Sequence, residues 1–271
     1  MKISVSQIKR HIECPAKANY EYGLLRGQEK RAMALDVGSL AHIALEAKLS
    51  GQDWRKATDD YLASLPPEVS VEVGEEFEVI APSLALWEKP EDWEVVSVEQ
   101  ELSAQCGSHI LVGRLDAVVK WNGSYWHLQH KTLSPSIPVS VFAEQQRTDW
   151  HECAYHRFAE LQGFKPFAGT ILNVIRKLSA KRLKESPLDA IVPPQYLPRT
   201  DEIVQEALDD LSQLIDDIEA GRNGTRRIVK CRSACGGPYR NSLCIYKPVC
   251  DGDVSIESDS YVDLVPRYAD V

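Results

Sequence analysis

Three residues in the stretch GRLDAVVKWNGSYWHLQHKTLSP, from Gly113 to Pro135, have the types and spacing to do chemistry: Asp116, Gln129 and Lys131. Gln129 and Lys131 are two residues apart, so on a strand both point the same way. Asn122-Gly123 between two β-rich runs is a strong hairpin signal, and it places Asp116 on the neighbouring strand. An acid, an amide oxygen and a lysine on one hairpin fit two readings. One is a site for a hard divalent cation, which prefers oxygen ligands. The other is a half-buried salt bridge, and an isolated cross-strand pair contributes about 1 kcal/mol or less.

The elements that must position these residues alternate in type. Ser4 or Ser6 caps a first helix reaching roughly Tyr22, and ALDVGSLAHIALEAKLSG forms a second, bounded by Gly51. Residues 53–64 and 73–88 read as helices on either side of the Pro66-Pro67 break. Period-two alternation then takes over in EVVSVEQELSA, ILVGRLDAVVKW and SYWHLQHKT, which predicts a three-stranded meander. A helix from Val139 to Gly163 and a strand, FAGTILNVIRK, buried on both faces, come next. An acidic amphipathic helix capped by Thr200 and stopped at Gly221 leads into a loop-rich tail. This order implies an α/β fold with a mixed central sheet flanked by helices.

With 271 residues, 44% hydrophobic and 26% charged, the chain can bury a core without disulfides. No apolar run approaches the ~18 residues a membrane span needs. The opening MKISVSQIKRHIECPAKANY lacks the apolar core of a secretory signal, so we expect a cytoplasmic protein without membrane attachment. A net charge of −9 counts against non-specific coating of nucleic acid by the whole surface. It leaves room for local basic tracks, and RKLSAKRLK (Arg176 to Lys184) and RNGTRRIVKCR (Arg222 to Arg232) are two candidates, with a solvated surface the plainer reading of each.

GRLDAVV followed by HLQHKT resembles the core of the PD-(D/E)XK nucleases, in which an aspartate and a (D/E)-x-K pair lie on adjacent strands. Upstream, DVGSLAHIALE (Asp36 to Glu46) is similar to the G-x-x-x-H-x-x-x-E helix of the RecB-type branch. That branch includes helicase–nuclease subunits, CRISPR-adaptation nucleases and phage recombination exonucleases. Downstream, DWHECAYHRFAEL resembles its Q-x-x-x-Y motif, with His151 in the glutamine position and Tyr155 in place. SVSQIKRHIECPAKANYEY looks like the branch's N-terminal segment ending in Cys-Pro. The resemblance implies a restriction-endonuclease-like core and a single nuclease domain over 1–271. Its parts would be an N-terminal helical part (1–92), a catalytic α/β core (93–180) and a C-terminal helix with a cysteine-rich tail (181–271).

The resemblance also implies roles. Phosphodiester hydrolysis uses Mg²⁺ or Mn²⁺ to bind phosphate oxygens and acidify a water. Asp116, Gln129 and His42 would hold the cation, with the imidazole favouring Mn²⁺. Lys131 would orient the water and offset charge developing on phosphorus. His151, Tyr155, Arg176, Lys177, Lys181 and Arg182 would contact DNA, and Trp126, Trp150 and Tyr155 are stacking candidates, with core packing the plainer role of both tryptophans. Gln129 departs from the usual acid. Either it serves as a neutral ligand in a working site, or the fold now binds DNA with cleavage weakened. Glu99 and Glu101 lie on one face of the preceding strand, where a solvated face is their plainer role and supplying the missing charge the other.

Cys14, Cys231, Cys235, Cys244 and Cys250 gather at the two ends of the chain. In the RecB-type branch one N-terminal and three C-terminal cysteines hold a [4Fe–4S] cluster joining the chain ends. That resemblance assigns Cys14, Cys235, Cys244 and Cys250, with Cys231 the rival of Cys235. Spacings here are not those of a zinc ribbon. The function implied is a metal-dependent exonuclease processing DNA ends or single strands in recombination or repair, acting alone or beside a recombination partner such as an annealing protein.

Overall fold

A computed structural model describes residues 2–27, 33–106, 108–178, 180–186, 192–236 and 243–264. The order is β1 (Lys2–Ser4), α1 (Val5–Glu13), α2 (Pro15–Ala18), β2 (Arg26–Gly27), α3 (Met33–Leu49), α4 (Trp54–Ala63), α5 (Pro67–Phe77) and α6 (Ala81–Leu86). Then come β3 (Glu94–Cys106), β4 (His109–Trp121), β5 (Ser124–Leu133), α7 (Val139–Arg147), α8 (Trp150–Leu161), β6 (Phe167–Arg176) and α9 (Ala180–Glu185). β7 (Gln195–Pro198), α10 (Asp201–Arg222), α11 (Lys247–Asp251) and β8 (Val262–Asp263) complete it. The chain divides into two compact units, one of residues 1–31, 103–113 and 206–271, the other of 32–102 and 114–205.

The larger unit is a mixed α/β layer structure. β3 pairs with β4, and β4 with β5 antiparallel through the hairpin, whose Asn122 and Gly123 take φ of 48° and 79°. Both positive angles are what a two-residue turn between twisted strands requires. β5 runs parallel to β6, and β6 antiparallel to β7. β6 explains the two helical layers. Ile171 and Ile175 pack into apolar clusters with residues of α3, α5 and α6, while Leu172 and Val174 join Ala143 of α7 on the opposite face. Trp126 lies in the first of these layers as core.

Several expected helices are shorter than the periodicity suggests. The first breaks at Cys14, which is extended (φ −163°) ahead of Pro15, a conformation a following proline favours, and helical turns resume over Pro15–Ala18 and Asn19–Gly23. The helix expected over 139–163 breaks at Thr148, and Asp149 caps the new start by accepting the His151 N–H at 2.9 Å. α5 begins at Pro67 rather than at 73, and the helical run to 88 splits where Pro82 opens α6.

In the smaller unit the two chain ends are tied together. β2 pairs antiparallel with β8, Arg26 binds Asp263 at 2.7 Å, and Tyr246 donates to the Arg26 carbonyl at 2.7 Å. Among the described residues no helix is long and apolar enough to cross a membrane.

Candidate active site

The β4–β5 ladder runs from Trp121↔Ser124 to Ala117↔Leu128 and stops. Asp116 is the first β4 residue beyond it, and its Oδ2 accepts the His130 backbone N–H at 2.8 Å. The strands fork there. α3 brings His42 to the fork, with Nδ1 3.4 Å from Asp116 Oδ1. Glu99 of β3 joins them, and ligand atoms of His42, Glu99 and Asp116 all lie within 4.8 Å of one another. Metal–ligand bonds of about 2.0–2.6 Å let one cation touch all three.

Glu99 reaches this position through its backbone. Its φ is 48°, a left-handed residue inside a strand, and the burial alternation of β3 fails around it. Such a departure from strand geometry re-aims a side chain. Glu99 Oε2 also accepts from Arg114 Nε at 2.9 Å. Glu101, two residues on, is exposed.

The electrostatics follow from crowding. Burial opposes the Asp116 charge, but the hydrogen bond and charge of His42, with His130 and Lys131, outweigh it and hold the carboxyl well below its ordinary range. Burial likewise opposes charge on His42, and Asp116 overcomes it, so the His42 pKa is raised. Glu99 is raised by burial, against which Arg114 pulls down while Asp116 pushes up. The charge of Lys131 is felt by both Asp116 and His42. One turn before His42 on α3, a Cβ on Gly38 would meet nothing within 4 Å, so the helix surface there is bare.

Gln129 lies in a second network. It is buried on the β5 face it shares with His127, and its Nε2 donates to Glu152 Oε1 of α8 at 2.6 Å. Glu152, with no exposed side chain, also takes His127 Nδ1 at 2.9 Å and the Thr170 hydroxyl at 2.8 Å. Burial works against its charge, but His127 and then His151 hold its pKa well below the usual range. The Gln129 Oε1 is buried without a partner. Glu152 went unread in the sequence, yet it had a signal: it shares a helical stripe with buried Tyr155, His156 and Ala159.

The residues expected to meet DNA divide. His151 packs tilted against Tyr155 with ring centroids 4.5 Å apart, and Tyr155 is itself only 7% exposed. Arg176 Nη1 donates to the Ser134 and Ile137 carbonyls at 2.8 and 2.7 Å, bracing the loop after β5. The Lys177 backbone N–H bonds Leu133. Lys181 and Arg182 are exposed on α9.

All seven cysteines are free thiols. Burial, then the nearby thiols of Cys244, Cys250 and Cys14, push Cys235 up. Burial, then Cys250 and Cys14, push the Tyr20 hydroxyl up to about 12. Cys231 differs: its thiol is lowered by the Ser233 hydroxyl, and its backbone N–H donates to Cys14 Sγ at 3.4 Å.

A profile of the PD-(D/E)XK nuclease superfamily matches residues 2–251. The chain belongs to that superfamily. Its fold is similar to the crystal structure of a protein from Eubacterium rectale provisionally named an exonuclease. The TM-score is 0.52 and the identity 13%, over 90% of this chain and 91% of that one. A second structure, SSO0001, matches at 14% identity over 94% and 87% of the two chains, with a TM-score of 0.41. A comparison with curated proteins found no match.

Proposed function

We propose that this chain is a divalent-cation-dependent DNA exonuclease that processes ends or single strands. The observation that carries the reading is the convergence of His42, Glu99 and Asp116 at the fork of the hairpin, beside Lys131. The donor set fits Mg²⁺ or Mn²⁺: two carboxylates, one imidazole, and the unpartnered buried Oε1 of Gln129 as a neutral oxygen. When bound, the cation would screen the phosphate oxygens and lower the pKa of a water. Glu99 supplies the negative charge that Gln129 lacks. Lys131 orients the water and opposes charge building on the phosphoryl group. The bare helix surface at Gly38 admits the nucleic-acid backbone beside His42. His151 on α8, backed by the buried Tyr155, and Lys181 and Arg182 on α9 flank its path, and salt would weaken that contact steeply. The provisional exonuclease name of the Eubacterium rectale protein is in keeping with cleavage from ends.

Cys14, Cys235, Cys244 and Cys250 are proposed to hold a [4Fe–4S] cluster. Cys235 lies near enough to Cys244, Cys250 and Cys14 for their thiols to act on it, which supports this set, and Cys231 instead gives a backbone N–H to Cys14. The cysteine spacings are not those of a zinc ribbon. The role of the cluster is to fasten the two ends of the chain.

Gln129 favours one other reading, a nuclease fold that binds DNA without cutting it. Linear and circular DNA with and without Mn²⁺ separate the two. Metal-dependent shortening of the linear DNA alone supports the exonuclease, and binding without cleavage supports the alternative.

A further inference from the structure

If Gln129 is a cation ligand, its amide must present oxygen rather than nitrogen, and nothing in glutamine itself decides which. We propose that Glu152 is a positioning residue that fixes the Gln129 amide with its oxygen toward the cation. The inference rests on the nuclease reading above.

The geometry leaves the amide one orientation. Gln129 Nε2 donates to Glu152 Oε1 at 2.6 Å, a short charge-assisted bond. The carboxylate cannot swing away, because its other oxygen takes His127 Nδ1 at 2.9 Å and Thr170 Oγ1 at 2.8 Å. Thr170 is in turn held by Arg199 Nη1 at 2.7 Å. Turning the amide over would set Gln129 Oε1 against the Glu152 carboxylate, acceptor against acceptor, inside a buried site. As it stands, Oε1 is the free end of the amide, buried and without a protein partner.

Positions 129 and 152 therefore form a matched donor and acceptor. Gln129→Glu would bring the strand closer to the usual (D/E)-x-K pattern, yet it removes the donor and faces two carboxylates across a dry gap. The partner change, Glu152→Gln, returns a donor to the pair with the order reversed. In this chain the usual acid fails unless position 152 changes with it.

The test is calorimetric Mn²⁺ binding and cleavage by wild type, Gln129→Glu and Gln129→Glu/Glu152→Gln. Gln129→Glu is expected to lose about tenfold or more in Mn²⁺ affinity, as disturbed partners of metal ligands do. The double variant is expected to recover most of that loss and the cleavage with it. A double variant as weak as Gln129→Glu overturns the positioning role while leaving the nuclease reading intact. A wild type that binds no Mn²⁺ overturns both. A second measurement needs no folded variant. In wild type with ¹⁵N-labelled glutamine, the Gln129 side-chain amide signals must move when Mg²⁺ is added. Signals that stay put through Mg²⁺ saturation overturn the proposal.

Discussion

His42 Nδ1 and Asp116 Oδ1 lie 3.4 Å apart, and each sustains the charge of the other. In the metal-free protein this pair stabilises the fold. His42 has a raised pKa, so its contribution is full below the unfolded histidine value near 6.5 and is lost as pH rises through the raised value. Asp116 has a depressed pKa, so its contribution holds above about pH 4 and is lost only on acidification below that.

A cation needs His42 neutral, so binding must displace that proton. Mn²⁺ affinity should therefore climb with pH up to the raised His42 value and level off once His42 is deprotonated. Calorimetry in buffers of different ionisation heat should detect the released proton, and His42→Ala should abolish both the slope and the release. An affinity flat between pH 6 and pH 8, taken as about the neutral range, would exclude His42 from the site.

Glu99 and Glu101 carry the same charge on the same strand, and only Glu99 reaches the cluster. Glu99→Gln should lower Mn²⁺ affinity by about tenfold, whereas Glu101→Gln should leave it unchanged. Equal effects from the two would show that the acid acts through general surface charge.

Gly38 separates stability from activity. It lies inside α3 with open space where a Cβ would be, so Gly38→Ala should stabilise the fold by about 0.5–1 kcal/mol in denaturant unfolding. Gly38→Leu should also fold and keep its Mn²⁺ affinity, yet cut DNA poorly because the side chain fills the approach beside His42. Full cleavage by Gly38→Leu would place the DNA elsewhere.

Cys14 is buried beside thiols from the far end of the chain. Cys14→Ser should give colourless protein, lacking iron on elemental analysis, with a lowered unfolding midpoint. Cys231→Ser should retain iron, since only its backbone N–H serves Cys14. Iron retained in the first variant and lost in the second would reverse the assignment.

What could be read in the sequence was whatever depends on local chemistry. The Asn122-Gly123 turn was legible because only a few residues accept two successive positive φ angles, and the turn fixes the hairpin's register. The doubly buried β6 was legible from an unbroken apolar run. Glu99 and Glu101 look equivalent by alternation, and the left-handed backbone at Glu99 that parts them has no side-chain signature. The bond from Gln129 to Glu152 joins a strand to a helix, so it exists only once β5 and α8 are packed. Arg176 reads as one more charge in a basic run until its hydrogen bonds to Ser134 and Ile137 show what it braces.

The central claim is that the fork at Asp116 is a working metal site. Cleavage of end-labelled linear DNA with Mn²⁺, by wild type and by Asp116→Ala, tests it most directly. Wild type should shorten the DNA only when the cation is present, and Asp116→Ala should bind the DNA and leave it whole. Undiminished cleavage by Asp116→Ala, or a wild type inert with both Mn²⁺ and Mg²⁺, would contradict the account.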